Sequence, residues 1–156
     1  MGYDGKGQLI INNKNEIPNI DFNDFILEKK INLKKEISVI TVRYQNGNSF
    51  SYSPIDNIHQ NQILYKSTSP ALLDDIMEQK ALGWSKKIIS ALDYIGVICI
   101  EFFIDNNEDL YVNEIAPRVH NSGHLTIESY NVSQFESHIR SVCNLNEMIP
   151  KMQKRS

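Results

Sequence analysis

Residues 96–115 read GVICIEFFIDNNEDLYVNEI, and this stretch decides the fold. Gly96 to Ile104 is a run rich in Val, Ile and Phe, Asp105 to Asp109 has the polar composition of a turn, and Leu110 to Ile115 is a second, shorter run. Two such runs around a short turn make an antiparallel hairpin, in which residues whose numbers sum to about 215 lie opposite one another. Glu101 then faces Glu114. Alternation places Glu101 on one side with Val97, Cys99 and Phe103, and Glu114 on that side with Leu110 and Val112, so two carboxylates meet among apolar neighbours. Opposed like charges repel, and partial burial raises the cost unless something positive lies between them. A magnesium ion, held by one or two carboxylates and otherwise by waters and phosphate oxygens, resolves the conflict. A register shift of one residue, or an exposed face, would instead leave both glutamates merely solvated.

Downstream of the hairpin, Ala116-Pro117-Arg118-Val119-His120-Asn121-Ser122-Gly123-His124 packs an Arg, two His, an Asn and a Ser into one loop. A dense polar loop directly after a carboxylate-bearing strand points to substrate contacts. Arg118 suits a phosphate or carboxylate, or else a structural salt bridge to a neighbouring acid. His120 and His124 are donors, ligands or ordinary surface residues on this information alone. A helix over Ser133 to Val142 follows, with Ser133 as its cap, Glu136 three residues on, and Phe135, Ile139 and Val142 on one face.

Upstream, Phe25 to Ile31 and Glu36 to Tyr44 have strand composition, and Gln45-Asn46-Gly47-Asn48 supplies the turn that returns Ser49 to Ser53 as a partner. After Pro70, apolar residues recur at three- and four-residue steps from Leu72 to Tyr94, which predicts one long helix or two broken near Gly83. His59 lies between these elements, and the bare sequence assigns it no role. Strands and helices mix without strict alternation, so the expected class is α+β, an antiparallel sheet with flanking helices.

A length of 156 residues is that of one domain. Hydrophobic residues at 41% and charged residues at 22% place the chain among globular proteins rather than disordered ones. A net charge of -3 argues against binding nucleic acid through nonspecific attraction to phosphates. No apolar run reaches the roughly 20 residues that span a bilayer, and the first residues lack a secretion signal's apolar region, so a cytoplasmic protein with no membrane partner is expected. Cys99 and Cys143 have no metal-like spacing and are expected to be reduced and structural.

At the start, Gly2, Tyr3, Asp4, Gly5, Lys6, Gly7 and Gln8 form a glycine-rich segment whose backbone can approach an anion closely while Lys6 adds a charge. It matches neither the Walker nor the dinucleotide pattern, and Asp-Gly also makes plain turns.

The combination of GYDGKGQ, Glu28-Lys29-Lys30-Ile31 with Glu36 following, and VNEIAPRVHNSGH from Val112 to His124 resembles the ATP-grasp part of the N5-carboxyaminoimidazole ribonucleotide synthase family. The similarity runs from Gly2 to about Leu145 and takes in Ser133 to Glu136. It implies a partial ATP-grasp domain over 1–145, beginning at the glycine-rich loop, with 146–156 as a tail or the start of a truncated C-terminal domain. It also implies ATP and magnesium as cofactors, with Gly2 to Gln8 closing over the phosphates. Glu28, Lys29, Lys30 and Ile31 would meet the adenine edge, Glu36 the ribose hydroxyls, and His59 the nucleotide. Glu101 and Glu114 would hold the metal with Asn113 and Glu114 beside the phosphates. Arg118 and His120 would be catalytic, and would bind 5-aminoimidazole ribonucleotide and bicarbonate together with Asn121, Ser122 and His124.

The implied reaction uses ATP to phosphorylate bicarbonate. The carboxyphosphate, or the carbon dioxide it releases, then carboxylates the ribonucleotide's exocyclic amine. The family also tends to dimerise. Against the family pattern, the chain lacks an upstream domain and a phosphate-reaching lysine on the strand before the glycine loop, and it stops before a further basic residue downstream. Ala116 stands where many other ATP-grasp enzymes place Asn, which leaves fewer metal ligands. Two other expectations therefore stand beside the ligase: a noncatalytic nucleotide-binding fragment that needs a missing N-terminal half, and a formate- or glycine-using purine ligase, which would share the nucleotide residues but not APRVHNSGH.

Overall fold

The computed structural model describes residues 9–17, 25–61 and 63–155, and its centre is the strand pair formed by β1 (Leu33–Arg43) and β5 (Gly96–Asp105). With β2 (Ser49–Ser51), β3 (Ile55–Gln60), β4 (Ile63–Thr68) and β6 (Leu110–Ala116) they make a six-stranded sheet of order β4-β3-β1-β5-β6, β2 pairing with β1 alone. Every pairing is antiparallel. The α+β class follows.

Both faces of the central strands are covered, which is why β1 is buried continuously from Ile37 to Val42 instead of alternating. On one face Ile37, Val39, Ile98, Ile100, Phe102 and Ile104 pack against Met77, Ala81 and Ile89 of α1 (Asp75–Ala91). On the other, Ile40, Val42, Ile55, Val97 and Cys99 pack with Tyr52 and Tyr130 beneath α3 (Gln134–Val142). A short 3-10 turn at Asn121–Leu125 and α2 (Thr126–Ser129) join β6 to α3. Burying each Val, Ile or Phe is worth roughly 1.5–3 kcal/mol, so a one-residue slip of β1 on β5 would exchange two filled faces and is strongly disfavoured.

Four expectations change. Phe25 to Ile31 is not a strand; Phe25, Ile26 and Leu27 are exposed, and no described strand offers this segment a ladder partner. The long helix starts at Asp75, not near Pro70, because Asp74 caps it by accepting from the Met77 N–H at 2.7 Å. It runs unbroken through Gly83. The β3–β4 pair is not expected from the sequence, since Asn57 and His59, which follow Ile55 on its face, are polar and hide the alternation. Finally, Phe102 pairs with Val112 while Glu101 pairs with Glu114, so Asn113 is an unpaired bulge residue. That extra residue moves Leu110 to the α1 face, away from Glu114.

The predicted helix over 133–142 does form, with Ser133 Oγ accepting from the Glu136 N–H at 3.2 Å. Its buried side chains are Gln134, Ser137 and Ser141, whereas Phe135, Ile139 and Val142 face outward. Among the described residues no helix is long and apolar enough to cross a membrane. Cys99 and Cys143 are both free thiols; burial, and then the Glu101 charge, push the Cys99 thiol up to about 12.

Candidate active site

On the face covered by α3, the apolar positions give way to polar ones toward one end of the sheet. In β1, Val42 and Ile40 are followed on that face by Ser38 and Glu36; in β3, Ile55 is followed by Asn57 and His59; in β5, Val97 and Cys99 are followed by Glu101. The ladder sets these rows side by side, Ser38 opposite Glu101 and Glu36 opposite Asn57.

Glu101 lies directly opposite Glu114. Burial raises the Glu101 carboxyl pKa, and the Glu114 charge raises it further, with Glu36 adding in the same direction and His59 and Asn113 opposing. Glu114 is exposed. The bulge at Asn113 brings its Nδ2 to 3.5 Å from Glu101 Oε2, at the limit of a hydrogen bond. Two hard carboxylates set opposite one another, with the Glu101 pKa raised, fit a divalent cation held by one or two protein oxygens. Among the described residues no group of three or more metal-ligating side chains forms, so the remaining ligands would be water or phosphate oxygens.

Glu36 Oε2 and His59 Nδ1 are in contact across adjacent strands. His120 leaves the loop after β6 with Nε2 at 3.3 Å from Glu101 Oε1. Burial lowers its pKa to about 4, with Arg118, His124 and His59 contributing. That direction favours the neutral ring, and Nε2 and the Glu101 carboxylate are in polar contact. The Gln134 side chain holds the His120 backbone at both ends, accepting from its N–H at 2.9 Å and donating to its carbonyl at 2.7 Å. Gly123 makes room for this clamp, because a Cβ there would lie 2.5 Å from Gln134 Oε1. Sequence inspection missed Gln134, for which a polar residue at the start of an amphipathic helix was the only signal.

Arg118 is exposed, its Nη1 donating to the Val119 carbonyl at 3.0 Å, and among the described residues no carboxylate pairs with it. Tyr94 anchors the loop just before it by donating to the Pro117 carbonyl at 2.9 Å. Asn121 and His124 are exposed, and His124 lies against the Phe135 ring at 5.6 Å between centroids. Ser122 is fully buried. Glu28, Lys29 and Lys30 are exposed and Ile31 is partly buried, in an irregular segment leading into β1. The glycine-rich segment Gly2 to Gln8 lies outside the described residues.

Residues 1–135 match the family model of the ATP-grasp domain. Over 146 residues the chain is 48% identical to the N5-carboxyaminoimidazole ribonucleotide synthase of Staphylococcus aureus strain MRSA252, covering 90% of this chain and 38% of that protein. The chain thus spans under two fifths of that relative's length. The structure is similar to carboxyaminoimidazole ribonucleotide synthase from Aspergillus clavatus complexed with ATP, at a TM-score of 0.89 and 31% identity over 99% of this chain and 42% of that one. It is also similar to the Aspergillus clavatus enzyme in complex with ADP and 5-aminoimidazole ribonucleotide, at a TM-score of 0.77 and 31% identity, covering 81% of this chain and 35% of that one.

Proposed function

The chain belongs to the ATP-grasp domain family, and from that premise we propose that it serves an ATP-dependent carbon-nitrogen ligase. The proposed reaction is carboxylation of 5-aminoimidazole ribonucleotide with bicarbonate to N5-carboxyaminoimidazole ribonucleotide, through carboxyphosphate, in purine biosynthesis. The observation that carries it is the meeting of Glu101 and Glu114 at the polar end of one sheet face, with Glu36, His59 and His120 gathered on that face. The relatives' names supply the substrate class.

Magnesium held by Glu101 and Glu114 would neutralise phosphate charge during phosphoryl transfer. The protein's own groups do the rest by position. Glu36, steadied by His59, presents a carboxylate that accepts from ribose hydroxyls. The exposed backbone of Glu28 to Ile31, free of any ladder, offers donors and acceptors to the adenine edge. Asn113 lies beside the phosphates, and Gly2 to Gln8 with Lys6 would close over them and keep water from the acyl phosphate. Arg118, which pairs with no carboxylate among the described residues, holds an anionic group of the ribonucleotide or bicarbonate, and Asn121 and His124 flank that position. The neutral His120 orients bicarbonate or takes up a proton at its ring. Homodimer formation and a cytoplasmic site of action belong to the same proposal.

Calorimetric titration of the 156-residue chain with ATP tests it, with and without magnesium, beside a Glu101→Gln, Glu114→Gln double variant. Saturable binding that needs magnesium and vanishes in the variant is expected. Failure of the folded chain to bind would overturn the proposal for this chain. Binding without turnover of ribonucleotide would make it a nucleotide-binding part that acts only with a complementary polypeptide.

A further inference from the structure

We propose that Asn46 is a site of spontaneous deamidation, that Glu147 restrains the reaction, and that the product loosens the C-terminal segment from the β1–β2 turn. Asn46 is the one asparagine of the sequence that glycine follows, and the turn itself requires that pairing. Residues 45–47 form a three-residue hairpin loop, closed by the Tyr44 N–H donating to the Asn48 carbonyl at 2.9 Å and the Gly47 N–H to the Tyr44 carbonyl at 3.0 Å. Gly47 has φ +89°, a left-handed conformation that favours glycine. The missing side chain that lets the loop close also leaves the Gly47 nitrogen unshielded. A Cβ there would meet Arg43 Nη2 at 4.0 Å and nothing closer among the described residues. Asn46 and Gly47 are both exposed, so water reaches them.

In the reaction the Gly47 nitrogen attacks Asn46 Cγ, the Cγ–Nδ2 bond breaks, and the Gly47 proton leaves with that nitrogen as ammonia. Water then opens the cyclic imide at either carbonyl, giving aspartate or isoaspartate at position 46. The attack is intramolecular and needs no enzyme. What slows it is the hold on the side-chain amide. Asn46 Oδ1 accepts from the Asn48 N–H at 3.0 Å, and Nδ2 donates to Glu147 Oε1, a bond that must break before the amide can turn toward Gly47. Glu147 also accepts from Asn48 Nδ2, at 3.0 Å to Oε1 and 3.3 Å to Oε2. Next to it the Met148 N–H donates to the Tyr44 hydroxyl at 3.2 Å, so residues 147 and 148 are fastened to the turn. Farther along, Asn131 Oδ1 accepts from the Lys151 N–H at 2.7 Å and holds the segment independently. Deamidation removes the Nδ2 donor and sets a second carboxylate against Glu147, with Asn48 Nδ2 left to oppose the repulsion. None of these residues belongs to the candidate active site, and the inference is independent of the ligase reading.

The test incubates the full 156-residue chain, without ligands, at mildly alkaline pH and follows peptide masses over time. The mass gain of an amide-to-acid conversion is expected at Asn46 before any other asparagine. Glu147→Ala, which removes the acceptor, should speed it by about 3- to 10-fold, and Glu147→Gln, which keeps an oxygen, by less. Hydrogen exchange in Asn46→Asp reads the consequence. The Met148 N–H should exchange about 3- to 10-fold faster than in the unmodified chain, and the Lys151 N–H at nearly the same rate. An unmodified chain that deamidates elsewhere first, or not at all, would overturn the proposed site whatever the variants do. An equal rate in Glu147→Ala with unchanged circular dichroism would overturn the restraint by Glu147. Unchanged Met148 exchange in Asn46→Asp, or an equal rise at Lys151, would overturn the local loosening.

Discussion

Glu101 carries the energetic conflict of the site. Its raised pKa, caused first by burial and then by Glu114, means that the folded chain holds that proton more tightly than the unfolded one. Ionised Glu101 therefore costs stability above its ordinary titration range, and the cost fades as pH falls. Glu101→Gln removes the charge while keeping an oxygen to accept from His120. We expect the variant to gain about 1 kcal/mol, a rise in Tm of about 2–4 °C for a chain of this size, while losing magnesium-dependent ATP binding. Thermal unfolding at pH 7 checks the first half, and a lower Tm would show that the carboxylate is compensated within the protein. Arg118 presents the opposite case, an exposed cation whose one resolved bond is to a neighbouring carbonyl. A charge-assisted bond of about 1.5–3 kcal/mol predicts roughly 10- to 100-fold weaker ribonucleotide binding in Arg118→Ala. Equal affinity for the ribonucleotide would take Arg118 out of the substrate site.

At the scale of elements, α3 inverts the usual logic of an amphipathic helix. Its apolar stripe is outside, Ile139 being 54% exposed, while fully buried Gln134 binds the His120 backbone. Gln134→Leu should cost about 2 kcal/mol, because it strands a partly buried N–H and a partly buried carbonyl at about 1–3 kcal/mol each when fully buried. Ile139→Lys should stay within about 0.5 kcal/mol. Urea unfolding of the two variants should give this order, and the reverse would mean that the outer stripe is covered in solution.

The β5–β6 turn offers a similar contrast. Asp105 Oδ1 accepts from the N–H groups of Asn107 and Asp109 at 2.8 and 2.9 Å, and these bonds lower its pKa, the Asp109 bond most. A lowered carboxyl pKa adds stability above the unfolded value, and that stability is lost as pH falls through the folded value. Asp105→Asn keeps an acceptor and loses the charge, so its unfolding free energy should vary less with pH below about 4 than that of the unmodified chain.

These elements also show what the sequence discloses. Glu101 opposite Glu114 was legible because a polar turn between two apolar runs fixes the register by counting. The bulge at Asn113 was not, because one extra residue leaves no mark on composition and yet moves Leu110 to the other face. The β3–β4 pair stayed hidden because its inward side chains serve the polar end of the sheet. The contact between Ser38 and Ser122 stayed hidden because hydroxyls 84 positions apart meet only through the fold.

For the whole molecule, the candidate nucleotide residues come from β1, β3, β5 and β6, so one ligand touching them would bridge strands that are distant in sequence. A ligand that binds the folded chain alone adds RT ln(1 + [L]/Kd), about 2.7 kcal/mol at one hundred times Kd. At about 2–4 °C per kcal/mol, saturating ATP with magnesium should raise Tm by about 5–10 °C. ATP without magnesium should raise it much less, because Glu101 and Glu114 then face the phosphates as uncompensated charges. In the Glu101→Gln, Glu114→Gln chain neither condition should raise Tm appreciably, since two neutral amides no longer hold the metal. Equal shifts with and without magnesium in the unmodified chain would mean that the nucleotide sits away from the opposed glutamates.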